Sequence, residues 1–295
     1  MISDATAESI IQSAFEGKTA PYASGKPPSL VVLGGLPAAG KTTVSSEHDE
    51  KNFVYASPDW VKAQAKNYSV EFHSTATQIN TKIINEARKS GYNLLYDSLL
   101  DNYGRAAGTI RQYLAKNGAV LLIYVDVSYE TSLARALARE VMWKLEEKTV
   151  RLIPTRVIIR SYNYSLSTML ALLVKYESDP RVRFLIYNND RDFKAARLIA
   201  EKTKDSLLIS SEKMFDALTH TDYHLMSEGH YERKKTLDEE GFDECRPRAY
   251  HRAVNLVIEK SRASGRPEME REVYERLVQE QVRRDDPLTA ENQPE

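Results

Sequence analysis

The chain has 295 residues, of which 42% are hydrophobic and 28% are charged, and its formal net charge is −1. This composition is typical of a soluble globular protein, and the near-neutral charge excludes a global attraction to nucleic acid or to an anionic membrane. The single cysteine, Cys245, excludes an internal disulfide and a cysteine-based zinc site. We therefore expect a reducing, cytoplasmic setting.

Alternating strands and helices are predicted from residue 29 onward. Ser29–Leu33 is a continuous apolar run, which is typical of a strand buried on both faces. Further apolar runs predict strands over 53–56, 92–96, 119–127 and 183–187, with helices between them and a last helix over 192–204. No run approaches 18 apolar residues, so no membrane span is predicted. The alternation indicates an α/β fold with a parallel sheet flanked by helices.

The alternation ends near residue 210, and the rest of the chain is more polar. Helical patterns over 250–261 and 268–284 predict a helical C-terminal extension. The predicted organisation is therefore an N-terminal helix and linker over 1–28, a core over 29–210 and the extension over 211–295.

A basic-aromatic cluster lies near the start of the first of those two helices and comprises Arg246, Arg248, Tyr250, His251 and Arg252. A phosphate or nucleic-acid contact is one interpretation of such a cluster. A solvated start of a helix is the commoner role, and it is the one we expect here.

A phosphate-binding motif follows the first strand, because residues 35–42, GLPAAGKT, match G-x-x-x-x-G-K-[ST] in full. In this motif the glycines let backbone N–H groups turn around the phosphates, the lysine reaches the β- and γ-phosphates, and the hydroxyl binds Mg²⁺. The sequence therefore predicts a P-loop that binds ATP and Mg²⁺. The predicted nucleotide contacts are Gly35, Leu36, Pro37, Ala38, Ala39, Gly40, Lys41, Thr42 and Thr43.

Two aspartates follow predicted strands. Asp59 comes after the second strand and Asp97 ends the third. Ligands of open α/β sheets bind beyond the carboxyl ends of the strands, so both carboxylates are expected in the site. Asp97 is predicted to hold Mg²⁺ together with Thr42, and Asp59 to accept a proton from an acceptor hydroxyl. The alternative for Asp59 is the N-cap of a helix that begins at Trp60.

Arginines cluster after the fourth strand. Arg135 and Arg139 lie one helical turn apart, and Arg151 and Arg156 follow across a turn at Pro154. Arginine stabilises the charge that spreads over a phosphoryl group during transfer, so this segment is predicted to close over ATP as a lid. The alternative is a solvated helix face whose arginines pair with nearby glutamates.

The motifs occur in a fixed order: the P-loop, an aspartate after strand two, FHSTAT before a helix, then GYNLLYDS, RLIP and IYNND. This order resembles the zeta-toxin family of P-loop kinases over about residues 29–195. Members of that family are ATP-dependent kinases that phosphorylate UDP-N-acetylglucosamine on its sugar and that an antitoxin holds in check. Related plant-pathogen effectors phosphorylate nicotinamide dinucleotides. The resemblance implies a P-loop kinase-like sheet and the same activity here.

The resemblance also implies roles for single residues. Lys41 resembles the lysine that contacts the phosphates, and Asp59 resembles the base that faces the acceptor hydroxyl. Arg139 and Arg151 resemble the two arginines that contact the ATP phosphates, with Arg135 as a rival to Arg139.

The chain departs from the family pattern after Asp97. The family often has Gly-Thr after its acidic residue, and this chain has Ser98-Leu99. This difference lies in the pocket that is expected to bind the acceptor. It does not alter the residues that are expected to carry out the kinase chemistry.

We therefore expect a zeta-toxin-like kinase that phosphorylates a hydroxyl of a nucleotide-linked small molecule, such as UDP-N-acetylglucosamine or NAD, and that has an antitoxin protein as a partner. The alternatives are a polynucleotide kinase or another small-molecule kinase on the same scaffold and, from another class, an NTP-binding interaction module. No long stripe of Lys and Arg runs beside the P-loop, which argues against a nucleic-acid acceptor.

Overall fold

The computed structural model describes most of the chain, with gaps. The described residues are 2–45, 52–69, 71–148, 153–191, 195–202, 207–209, 223–227, 230–233, 239–267 and 269–285.

A seven-stranded sheet forms the centre of the molecule, in the order β2-β3-β1-β4-β5-β6-β7. Its strands are β1 (Ser29–Gly35), β2 (Val54–Ala56), β3 (Leu94–Asp97), β4 (Ala119–Asp126), β5 (Val182–Asn188), β6 (Arg197–Lys202) and β7 (Leu207–Ile209). The first five are parallel, as predicted, and β6 and β7 add antiparallel pairs at one edge.

Helices connect the strands as the alternation predicted. They are α1 (Asp4–Phe15), α2 (Lys41–Ser45), α3 (Pro58–Ala65), α4 (Phe72–Ser90), α5 (Tyr103–Leu114), α6 (Tyr129–Leu145) and α7 (Thr155–Lys175). The hydroxyl of Ser128 accepts from the N–H of Thr131 and caps α6. Gly91 ends α4 with a φ of 72°, a conformation that glycine adopts without strain.

Both faces of the sheet are buried. Leu30 and Val32 of β1 pack with α1, α4 and α7 on one face, and Val31 and Leu33 pack on the other face. This two-sided burial is the physical reason for the unbroken apolar run of β1. Among the described residues, α7 is the one helix long and apolar enough to cross a membrane, and 67% of its most apolar window is buried within the protein.

The helix predicted over 192–204 is wrong, because residues 197–202 form strand β6. Residues 192–194 and 203–204 lie outside the described residues. Alanine, lysine and arginine in this segment favour a helix by intrinsic propensity. Antiparallel pairing with β5 and burial of Ile199 and Ala200 outweigh that preference.

The C-terminal extension contains two helices, α8 (Glu239–Ala263) and α9 (Arg271–Asp285), and a hairpin of β8 (Tyr223–Ser227) and β9 (His230–Arg233). The helices confirm the predicted helical C-terminal region, and the hairpin was not predicted. The first helix begins at Glu239, earlier than the predicted range of 250–261, and it contains Pro247, a residue that usually lies at or before the start of a helix.

The extension packs directly on α6. Ala253, Val257 and Tyr274 are buried in one apolar cluster with Leu137 and Val141 of that helix. The arginine-bearing helix therefore has the extension as its neighbour.

Candidate active site

A cleft of about 1270 Å³ opens at the carboxyl ends of the parallel strands, where open α/β sheets bind ligands. Its lining comes from the loops after β1, β2, β3 and β5 and from seven helices, α2 to α8. The cleft brings together residues 37–43 of the P-loop, Asp59, Asp97 and Arg139. Gly35 and Leu36 are buried behind the loop. Arg151 lies outside the described residues.

Two glycines determine the path of the P-loop. Gly35 has a φ of 130° and Gly40 a φ of 90°, values that residues with a side chain rarely adopt. A Cβ atom on Gly35 would lie 2.4 Å from the carbonyl oxygen of Val125, and one on Gly40 would lie 2.5 Å from the side-chain nitrogen of Asn189. Both positions therefore require glycine for the backbone angle and for the close packing.

Side chains from two other elements hold the P-loop carbonyl groups. Ser132 Oγ donates a 2.7 Å hydrogen bond to the carbonyl of Pro37, and Asn189 Nδ2 donates one of 2.7 Å to the carbonyl of Ala39. In a planar trans peptide the N–H of the following residue points opposite to the carbonyl. The two hydrogen bonds therefore turn two N–H groups of the loop away from α6 and β5, as a phosphate cradle requires.

Lys41 and Thr42 begin α2 and line the cleft. Lys41 Nζ donates to the carbonyl oxygens of Gly35 and Leu36, each at 3.0 Å. The ammonium group therefore lies over the loop, within reach of the space where phosphates would bind.

Asp97 lies beside the strand that leads into the P-loop. It pairs in register with Leu33 of β1, and the next residue, Ser98, donates its N–H to the Leu33 carbonyl at 2.9 Å. The hydroxyl of Tyr55 donates to Asp97 Oδ2 at 3.1 Å. Carboxylate and hydroxyl oxygens are the ligands that Mg²⁺ prefers, so Asp97 and Thr42 form a suitable donor set.

Asp59 is the second residue of α3 rather than the cap of a helix. The cap is Ser57, whose hydroxyl accepts from the N–H of Asp59 at 3.3 Å. The alternative role of Asp59 as N-cap is therefore wrong. It lines the cleft in the first turn of α3, the helix that follows β2.

Arg139 has an unusual environment for an arginine. Its Nε and Nη2 atoms are buried and have no hydrogen-bond partner among the described residues, and its guanidinium lies 5.1 Å from the ring centre of Trp143. Burial lowers the pKa of Arg139, and the nearby Glu140 carboxylate opposes that shift. Buried donors without partners are costly, and an anion in the cleft would satisfy them.

The glutamates near this arginine have other partners. Glu140 accepts from the N–H of Ile153 at 2.9 Å, so it anchors the segment before α7. Glu146 pairs with Lys148 at 2.6 Å. Arg135, the rival to Arg139, also lines the cleft, and it donates to a backbone carbonyl at 3.2 Å. The geometry therefore favours Arg139 as the arginine with unsatisfied donors.

Asp190 was not predicted to have a role, and it joins three elements. Its carboxylate accepts from the N–H and the hydroxyl of Ser128, each at 2.8 Å, and from the hydroxyl of Thr131. Burial opposes its ionisation, but these hydrogen bonds and the charge of Arg252 outweigh burial and lower the pKa of Asp190. The charged form therefore holds Ser128, the cap of α6, and lies next to Asn189, which holds the P-loop.

Arg252 of α8 completes this network. It donates to the hydroxyl of Thr131 at 2.6 Å and to the carbonyl of Asp190 at 2.8 Å. The solvated role expected for the basic cluster is therefore wrong for Arg252. Leu256 and Lys260 follow at successive helical turns and line the cleft. The one sequence signal for this position is the spacing of four residues between Arg252, Leu256 and Lys260, which places all three on one face of α8.

Comparisons with known proteins agree with this geometry. A family model described as Zeta toxin matches residues 12–204, and no curated protein sequence matches the chain significantly.

Solved structures of similar fold include AvrRxo1-ORF1:ORF2 complexes and a toxin–antitoxin system. A crystal structure of AvrRxo1-ORF1:ORF2 with ATP has 14% identity and a TM-score of 0.60, covering 94% of this chain and 86% of that chain. The complex with sulphate ions has 15% identity and a TM-score of 0.58 at the same coverage. A structure of the PezAT chromosomal toxin–antitoxin system of Streptococcus pneumoniae has 19% identity and a TM-score of 0.51, covering 85% of this chain and 97% of that chain. At these identities the similarity concerns the fold alone.

The family match extends over more than half of the chain and includes the P-loop, both aspartates and the arginine-bearing helix. The chain therefore belongs to the zeta-toxin family of P-loop kinases and is an ATP-dependent phosphotransferase.

Proposed function

We propose that this kinase transfers the γ-phosphoryl group of ATP to a hydroxyl of a nucleotide-linked small molecule, such as UDP-N-acetylglucosamine or a dinucleotide like NAD. The observation that carries the proposal is one cleft that holds the P-loop, Asp59, Asp97 and the unsatisfied guanidinium of Arg139. These are the groups that phosphoryl transfer needs for positioning, proton removal and charge stabilisation.

Asp59 acts as the base in this proposal. The acceptor oxygen attacks the γ-phosphorus, the bond from the γ-phosphorus to the bridging oxygen breaks, ADP leaves, and the hydroxyl proton passes to the Asp59 carboxylate. Lys41, Arg139 and Arg151 stabilise the charge on the transferred group. Lys41 and Arg139 line the same cleft as Asp59, which supports their assignment.

Mg²⁺ fits the oxygen donors at the P-loop. Thr42 and Asp97 would hold the ion, and their hydroxyl and carboxylate line one cleft. When bound, the ion neutralises charge on the β- and γ-phosphates. The hydrogen bond from Tyr55 orients the Asp97 carboxylate toward this role.

The acceptor is proposed from the residues that line the cleft directly after Asp97. Ser98 and Leu99 line it where family members often have Gly-Thr, so the pocket edge is bulkier here. The hydroxyl of Ser165 donates to the Leu99 carbonyl, which fixes this edge. A different edge changes which acceptor fits, and NAD is therefore tested beside UDP-N-acetylglucosamine.

A protein inhibitor is part of the proposal. The similar structures include a toxin–antitoxin system and a two-protein complex, AvrRxo1-ORF1:ORF2, which supports an antitoxin as the partner of this chain. The setting proposed for both proteins is the cytoplasm, on the ground of the single cysteine.

A side-by-side kinase assay tests the proposed acceptor. Purified protein receives ATP with UDP-N-acetylglucosamine, with NAD, or with an oligonucleotide that has a 5′-hydroxyl, and mass spectrometry detects the product. We expect phosphorylation of one of the first two and none after the change Lys41→Ala. Phosphorylation of the oligonucleotide alone, weakening steeply with salt, would contradict the proposal and favour a polynucleotide kinase.

A further inference from the structure

A second group of polar residues lines the cleft beyond Asp59. Lys62 lies one helical turn after Asp59 on α3, and residues spaced by three share a face of a helix. Asn80 comes from α4, which packs against α3, and it lines the same cleft with His73. None of these side chains has a role in the chemistry assigned to the P-loop and the arginines.

Lys62 and Asn80 are buried, and both lack hydrogen-bond and ion-pair partners within the described part of the chain. Lys62 is 6% exposed and Asn80 is 4% exposed. Among the residues that the structure describes, neither the Lys62 ammonium nor the Asn80 amide has a hydrogen bond or ion pair, and Asn80 Oδ1 is fully shielded from solvent. A buried charge or amide without a partner destabilises a fold, because its lost hydration is not replaced.

The local charge indicates which ligand would satisfy this pair. Burial lowers the pKa of Lys62, and partial burial with the nearby Lys62 charge lowers the pKa of His73. Since Lys62 has no ion pair with a carboxylate of the described chain, an anion from a ligand would stabilise the charged ammonium. Asn80 Oδ1 is an acceptor, so it suits a hydroxyl or N–H group of the same ligand.

We propose that Lys62 and Asn80 form a subsite for a phosphate-bearing part of the acceptor, with Lys62 binding a phosphate oxygen and Asn80 accepting from a neighbouring hydroxyl. This inference rests on the proposed kinase function. It adds a condition on the acceptor, namely the distance between its reacting hydroxyl and its phosphate. Side chains one turn apart on a helix lie about 5–6 Å from each other at Cβ. The phosphorylated hydroxyl, facing Asp59, therefore lies close to a phosphate of the acceptor, and neutral sugars are poor acceptors.

The test compares Lys62→Met with Lys62→Arg and with Lys82→Met, an exposed lysine of α4, in assays with UDP-N-acetylglucosamine and NAD. We expect Lys62→Met to raise the KM for the acceptor roughly tenfold or more, because charge-assisted hydrogen bonds are the strong ones. We expect Lys62→Arg to recover part of this loss and Lys82→Met to match the wild type. Asn80→Ala should raise the same KM by a smaller factor.

A binding experiment tests the subsite without knowledge of which acceptor the enzyme phosphorylates. Each protein is saturated with a non-hydrolysable ATP analogue and titrated with inorganic pyrophosphate by calorimetry. Binding that Lys62→Met loses and Lys82→Met keeps supports the subsite even if neither acceptor is phosphorylated. Equal binding by both variants, or no binding by any protein, would overturn it. The melting temperature of Lys62→Met should not fall, since an unpaired buried charge is removed.

Discussion

Replacement of Arg139 by Met should stabilise the protein and abolish its activity. Arg139 has two buried nitrogen atoms without hydrogen bonds among the described residues, and each such donor costs about 1–3 kcal/mol. Methionine has a similar length and no donors, and apolar replacement of buried charges often stabilises a protein by about 1–4 kcal/mol. Loss of the contact with Trp143, at 5.1 Å, offsets about 0.5–2 kcal/mol of this gain.

The free energy of unfolding of Arg139→Met should therefore rise by about 1–2 kcal/mol. Each kcal/mol corresponds to a rise in Tm of about 2–4 °C. Phosphoryl transfer should fall by about 10³-fold or more, since an arginine at the transferred group contributes on that scale. Calorimetric melting and steady-state kinetics measure the two effects. Arg135→Met is the matched control on the same helix, and its Tm should change little.

A lower Tm together with activity within about threefold of the wild type would refute this reasoning, because Arg139 would then be a structural residue. If Arg135→Met lost activity and Arg139→Met kept it, the arginine that contacts the phosphates would be Arg135, one turn earlier on α6.

The other predictions concern the P-loop and its supports. Gly40→Ala should abolish measurable ATP binding by calorimetry, because Gly40 has a φ of 90° and no room for a Cβ, whereas Gly108→Ala, with nothing within 4 Å, should bind ATP normally. Arg252→Met should raise the KM for ATP several-fold, since the network from Asp190 to the P-loop loses its donor from α8, and Arg248→Met, which loses an exposed ion pair with Glu130, should not. The lowered pKa of Asp190 means that its stabilisation is present above the unfolded-state pKa of about 4 and is lost as pH falls through the folded-state value. Asp190→Asn should therefore lower stability at pH 7 and flatten its acid dependence in urea unfolding, and an unchanged acid slope would contradict this.

Local sequence patterns predicted much of the site. The motif glycines, the position of Asp59 after β2 and the position of Asp97 at the end of β3 depend on contacts within a few residues or on strand order, and the structure confirms these placements. The catalytic and metal roles of the two aspartates stay predictions, and so does the division at residue 210.

The supports of the site depend on contacts between distant parts of the chain. Asn189 holds a carbonyl 150 residues away, and Arg252 binds Thr131 across 121 residues. No periodicity or spacing encodes such pairs, so sequence patterns left Asn189 without a role and placed Arg252 in solvent. The strand at 197–202 was missed for the same reason, because its pairing with β5 overrides its helical composition.

The kinase activity proposed here is tested most directly by transfer from γ-labelled ATP into a metabolite extract by the wild type and by Asp59→Asn. We expect the wild type to label a phosphate-bearing small molecule. We also expect Asp59→Asn to bind ATP normally while transfer falls by roughly 10²–10⁴-fold, the usual contribution of a general base. A variant with weakened ATP binding and normal transfer at saturating ATP would contradict the role of Asp59 as the base that faces the acceptor.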